Sequence, residues 1–158
     1  MKNFTYSPLA SLQGKNSFLY LLPFRQPAQA NDRVYLPMNS DLDQTRIVGI
    51  ETHVHYGFGT DFDFPPTINI DGVTYNVITP FEQNGILLTL VNKKRQQVLD
   101  RYPFKALVNQ FAGTGSTEKT RTFRKYDLSI LSGESYVTFT VNSVIASPFV
   151  APITFYYE

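Results

Sequence analysis

The chain contains no cysteine and no tryptophan, and only 17% of its residues are charged. The lack of cysteine excludes disulfides, thiolate catalysis and cysteine-ligated zinc, and it leaves the redox compartment open. Charge is balanced as well as scarce, with 14 lysines and arginines against 13 acids. Such a balance supplies no broad field for nucleic acid or for an anionic membrane surface. A typical globular protein carries about 25% charged residues, so this surface is poor in charge. Together with 15% aromatic residues, that predicts a surface partly covered by other protein. Long apolar runs are missing too. The most apolar early run, "FLYLLPF", is far short of the roughly 20 residues that span a bilayer. The start, "MKNFTYSPLASLQGKN", lacks the apolar segment of a secretory signal. The expectation is a protein made in the cytoplasm, soluble or assembled with soluble partners.

What is present is a series of short β-like runs in a chain of 158 residues, a length that fits one domain with one core. The runs are "SFLYLLPF" (17–24), "RVYLP" (33–37), "TRIVGIETHVHY" (45–56), "TINI", "VTYNVI", "GILLTLVN" (85–92), "QQVLD" (96–100), "FKALVN" (104–109), "KTRTFRKYDL" (119–128), "ESYVTFTV" (134–141) and "APITFYYE" (151–158). "DG" at 71–72 predicts a two-residue hairpin, because type I′ turns need positive φ. "SYVTFTV" alternates, with Ser135, Val137, Phe139 and Val141 on one face and Tyr136, Thr138 and Thr140 on the other. That is the pattern of a half-buried antiparallel strand. The best helical candidate is "NKKRQQVLDRY", room for one short helix. Ten prolines and nine glycines punctuate the chain. About eight to ten short strands with uneven connections predict an all-β fold, a single jelly-roll β-sandwich of about eight antiparallel strands. Residues 1–16 read as an N-terminal arm, flexible or docked on a neighbour, and residues 17–158 as the jelly-roll domain. The terminal "ITFYYE" reads as a strand paired inside a sheet.

The stretch that most resembles chemistry is "ETHVHYGFGTDFDF" (51–64), which holds both histidines of the chain. On a strand, His53 and His55 point to the same face. Neutral imidazole is a common metal ligand, so they are the metal candidates. The jelly-roll cupins use such a His-x-His with a glutamate four or five residues on and a later histidine. Gly59 and Thr60 stand at the glutamate position, and no later histidine exists. A facial triad would need Asp61 or Asp63 to fold back as third ligand. The simpler expectation is two strand histidines at a surface or subunit contact, with no metal.

Other motifs fall short in the same way. "GTGSTEKT" (113–120) resembles a phosphate loop but has Glu118 at the second glycine and a strand-like run after it. "DFDFPP" (61–66) starts like a calcium loop and lacks the sixth-position glycine and twelfth-position glutamate. No Gly-x-Ser-x-Gly elbow occurs, and no pair among the acids is marked for glycoside hydrolysis. "NKKR" (92–95) and "KTRTFRK" (119–125) concentrate positive charge. The second reads as an exposed edge strand protected by its charges, with contact to nucleic-acid phosphates or an acidic partner as the alternative. The tyrosines and phenylalanines suit core packing and subunit interfaces. No catalytic residue, cofactor or small-molecule substrate is indicated, and the chain reads as a non-enzyme.

The runs "TRIVGIETH", "LLTLVNKKRQQVLDRYPFKALV" and "YDLSILSGESYVTFTV", in that order, resemble small jelly-roll structural proteins of icosahedral tailless bacteriophages. The Pro103–Leu107 segment and the Ser135–Tyr136 step are the matching positions, and the resemblance covers roughly residues 45 to 141. It implies a virion protein, a capsid vertex (penton) or minor capsid component. Its partners would be copies of itself, as a pentamer, and other capsid proteins. The alternative is a carbohydrate- or receptor-binding jelly roll whose loop carries Tyr56, Phe58, Asp61, Phe62 and Asp63. A cupin-like metal enzyme on His53 and His55 comes third.

Overall fold

A computed structural model describes residues 6–8, 16–24, 32–53, 65–78, 85–107, 110–111, 121–140 and 148–158. In chain order the strands are β1 (Tyr6–Pro8), β2 (Asn16–Phe24), β3 (Val34–Tyr35), β4 (Ile47–Thr52), β5 (Thr67–Ile70), β6 (Val73–Val77), β7 (Ile86–Val91), β8 (Gln97–Pro103), β9 (Gln110–Phe111), β10 (Arg121–Leu128), β11 (Tyr136–Phe139) and β12 (Phe149–Tyr157). They form an eight-stranded and a four-stranded sheet.

The fold is an all-β sandwich with jelly-roll connectivity. Hydrogen-bonded neighbours run β2-β12-β4-β10 in the large sheet and β3-β11-β7-β8 in the small one. Every pair in these two rows is antiparallel. Within this frame only β7 and β8 follow each other in the same sheet; at every other step the chain crosses the sandwich. Four further strands raise the number above the expected eight. β1 and β9 pair with β10, and the β5–β6 hairpin adds to the large sheet through a parallel contact of β6 with β12.

The two inner faces make one core. Leu22, Ile50, Ile153 and Phe155 of the large sheet meet Leu88, Leu90, Val137 and Phe139 of the small one. Phe24 and Phe149 stack at 4.5 Å, and the Phe139 ring stands edge-on to both. Burying aromatic rings of this size contributes a large share of core stability. β12 is the centre of the large sheet, paired with β2 over residues 149–157 and with β4 over residues 153–157. The chain's last apolar run is therefore an interior strand. Pro152 interrupts its pairing with β4. It accepts from the His53 N–H at 3.1 Å but has no N–H to return, so that ladder stops there.

Several local expectations hold and others fail for identifiable reasons. Asp71 and Gly72 lie at φ 50° and 83°, as a type I′ hairpin requires. "NKKRQQVLDRY" is not a helix. The Asn92 side chain accepts the N–H groups of Lys94 and Gln96, each at 2.9 Å, turning β7 directly into β8. "FKALVN" does not begin as a strand. Phe104–Leu107 is a 3-10 turn whose Phe104 and Leu107 enter the core. Thr52 Oγ1 donates to the Phe104 carbonyl at 2.8 Å. β10 is not a bare edge along its first half, since Thr122 pairs with both Pro8 of β1 and Gln110 of β9, while Lys125 and Leu128 pair with β4.

β11 has its predicted faces, Val137 and Phe139 inward, yet its outward Tyr136 and Thr138 are also buried. Arg33 and Tyr35 lie against the Tyr136 ring. A helix that the sequence pattern does not announce, α1 (Ser40–Gln44), precedes β4. The Asn39 side chain caps it by accepting from Asp41 and Leu42. The Tyr6–Pro8 part of the expected arm pairs with β10 of the same chain; most of the remainder lies outside the described residues. No helix among the described residues is long and apolar enough to cross a membrane.

Candidate functional site

Two polar clusters lie on the outer faces of the sandwich, one on each sheet. The first contains His53. Glu51 on β4 stands directly opposite Thr154 on β12, and period-two alternation places Glu51 and His53 on the same face. Tyr156 Oη donates to Glu51 Oε2 at 2.8 Å. His53 Nδ1 lies 3.8 Å from Glu51 Oε1, and its Nε2 lies 2.9 Å from Thr154 Oγ1. Glu51 is buried and His53 nearly so. A carboxylate held this far from water needs such donors. The same contact acts on the phenol. Burial first, and then the Glu51 charge and hydrogen bond, raise the Tyr156 pKa well above its ordinary value.

This cluster places one of the two histidine candidates, His53, on the outer face of the large sheet. Among the described residues no three histidine or acid side chains converge as a metal-binding group. Within those residues His53 is bonded to sheet neighbours. His55, Tyr56, Phe58, Asp61, Phe62 and Asp63 lie outside the described residues, so neither a metal at His55 nor a receptor loop is placed.

The second cluster is a groove of about 560 Å³ on the outer face of the small sheet. Gln97, Asp100 and Arg101 of β8 form one side, Arg33 the other, and Tyr136 and Thr138 of β11 lie between them, beside Leu87 of β7. The cross-strand pairs Tyr35–Tyr136 and Tyr136–Thr89 set this order. Arg33 is exposed, lies within hydrogen-bond reach of the Tyr35 side chain, and holds its guanidinium carbon 4.5 Å from the Tyr136 centroid. That distance is a cation–π geometry. Gln97 Nε2 donates to Tyr136 Oη at 3.3 Å.

β8 contributes two charged side chains at one place because it bulges. Leu88 pairs with Tyr102 and Leu90 with Leu99, so Asp100 and Arg101 together oppose Thr89. Arg101 takes φ 42°, a left-handed conformation that costs a non-glycine residue energy. Its N–H is held by Thr89 Oγ1 at 3.1 Å. Beneath the groove, Thr138 Oγ1 is buried and finds no hydrogen-bond partner among the described residues.

Sequence reading missed this groove. The alternation in "SYVTFTV" placed Tyr136 and Thr138 on one outward face, and that was the available signal. The Arg101 bulge has no glycine to announce it, and the meeting of Arg33 with β8 depends on strands far apart in the chain. Comparison with protein-family models finds no match. Comparison with curated proteins finds none, and comparison with solved structures finds none.

Proposed function

We propose that this chain is a structural subunit of a virion, a capsid vertex (penton) or minor capsid component that works by assembling with copies of itself and with other shell proteins. The observation that carries the reading is the free edge of β2. This strand has nine residues, "NSFLYLLPF", without a single charge, and it pairs with β12 on one side alone. No described residue pairs with its other side. Phe18 and Leu19 on this strand are exposed at 37% and 42%. A long, uncharged, apolar edge is a template for another chain, and proteins that stay single protect such edges with charge, proline or bulges. Its one proline, Pro23, sits near the end of the strand and leaves most of the edge open.

Supporting features are the jelly-roll frame, the low charge of the chain, and the further exposed side chains Tyr35 and Met38. A ring of copies needs two different patches that meet head to tail. Native mass spectrometry of the purified chain tests the reading. A closed ring is expected, five-fold if the subunit sits at a vertex. Leu19→Lys is expected to shift the ring to monomers while leaving the β circular dichroism unchanged. A chain that stays monomeric at high concentration and binds no other shell protein would overturn the reading.

A further inference from the structure

We propose that the groove on the outer face of the small sheet binds a sugar that carries a carboxylate, of the uronic acid or sialic acid class. The proposal is independent of assembly through β2, which belongs to the other sheet.

Three features distinguish this groove from an ordinary solvated sheet face. Arg33 is stacked on Tyr136 and has no ion-pair partner among the described residues. Stacking restricts the side chain, so less freedom is lost when its fork of N–H donors closes on a planar anion. Asp100 and Arg101 lie on one side of the groove, 3.7 Å from each other, and Arg33 lies on the other. Arg33 thus forms no ion pair with a described residue, whereas Glu134, beside the same arginine, pairs with Arg95 at 3.5 Å. Finally, the strained bulge keeps both Asp100 and Arg101 on the groove side of β8. Strain of this kind is concentrated at ligand sites.

The remaining groups select hydroxyls and a ring. Asp100 and the Gln97 carbonyl accept hydrogen bonds from hydroxyl groups, and Leu87 offers apolar surface to the C–H face of a pyranose. Thr138 Oγ1 is covered and has no hydrogen-bond partner among the described residues. Thr138 lines the groove, and a bound hydroxyl or carboxylate within reach of that oxygen would satisfy it. The volume of about 560 Å³ lies in the range of small-ligand sites. A fully neutral sugar would leave Arg33 unused. A simple carboxylate such as acetate would leave Asp100, Gln97 and Thr138 unused.

The test is titration calorimetry and saturation-transfer NMR on the intact chain in its native oligomeric state. The probes are glucuronic acid, N-acetylneuraminic acid, glucose and acetate. Saturable binding of at least one sugar acid is expected, about tenfold or more tighter than glucose or acetate. Arg33→Ala is expected to remove it, and Thr138→Val to weaken it several-fold at unchanged melting temperature. Arg46→Ala, on the other sheet, is expected to leave it unchanged. Absence of saturable binding would overturn the proposal. So would equal binding of glucose or acetate, or sugar-acid binding that survives Arg33→Ala.

Discussion

Tyr156 and Glu51 are joined across β12 and β4 by a 2.8 Å hydrogen bond in which the phenol donates to a carboxylate whose side chain is 4% exposed. The pair is diagonal in the ladder, since Tyr156 is directly opposite Gly49 and Glu51 directly opposite Thr154. Gly49 has no side chain, and that leaves the phenol room to reach over it to the acid. Removing the donor alone leaves a buried charge short of a partner. Tyr156→Phe is therefore expected to destabilise the fold by about 1–3 kcal/mol. The double variant Tyr156→Phe with Glu51→Leu is expected to recover part of the loss, because an apolar pair leaves nothing unsatisfied. Urea denaturation of the four members of the cycle measures it.

The alkaline limb of stability follows from two buried phenols. Burial pushes the Tyr20 pKa from 10.0 to about 12, and Tyr156 is raised as well. A phenol with a raised folded pKa holds its proton more tightly folded than unfolded. Its contribution is complete below pH 10, where the unfolded chain still carries the proton, and it is lost as pH rises through the folded value. Urea midpoints are expected to fall between pH 10 and 12. In Tyr20→Phe that fall should be shallower, although the variant starts lower because it lacks the 2.8 Å bond from Tyr20 to the Pro37 carbonyl.

Asp43 clamps α1 to the turn before β11. Its Oδ1 accepts the Ser132 N–H at 2.6 Å, while Ser132 Oγ accepts the Asn39 N–H at 2.7 Å. Asp43→Ala strands a buried N–H and is expected to cost about 1–3 kcal/mol. Asn39→Ala removes the helix cap as well and is expected to cost about 1 kcal/mol. Thermal melts followed by circular dichroism distinguish either loss from an unchanged fold.

The ring of Phe149 is the test of the core. It is 1% exposed, stacked on Phe24 and met edge-on by Phe139. Phe149→Ala opens a cavity between the sheets and is expected to cost about 3–5 kcal/mol. Phe149→Leu is expected to cost clearly less, since it refills most of the space. Chemical denaturation of both variants gives the comparison.

The run lengths, the alternation in "SYVTFTV" and the Asp71-Gly72 turn made the sandwich and one hairpin legible, because each depends on residues close together in the chain. The same locality explains the failures. "NKKRQQVLDRY" has helix-forming residues, but Asn92 closes a turn with its own backbone neighbours and β8 pairs with β7. "FKALVN" has strand-forming residues, but Phe104 and Leu107 are drawn into the core and a 3-10 turn brings both there. α1 is too short to show a periodic pattern, and it is fixed by Ser132, far along the chain.

The candidate sites divide in the same way. That Glu51 and His53 share a face followed from strand period alone. That the acid is met by Tyr156 and the imidazole by Thr154 was decided by the register of β4 against β12. The groove owes still less to local sequence: Arg33 directly precedes β3, Arg101 and Tyr136 come from β8 and β11, and a bulge directs one of them. The sequence by itself determined a charge-poor all-β chain with alternating faces, since burial of apolar side chains acts through patterns of two residues. Tertiary structure alone decided which polar groups meet on the outer faces, because hydrogen bonds and stacking need positions accurate to a fraction of an ångström, and only strand register and bulges supply those.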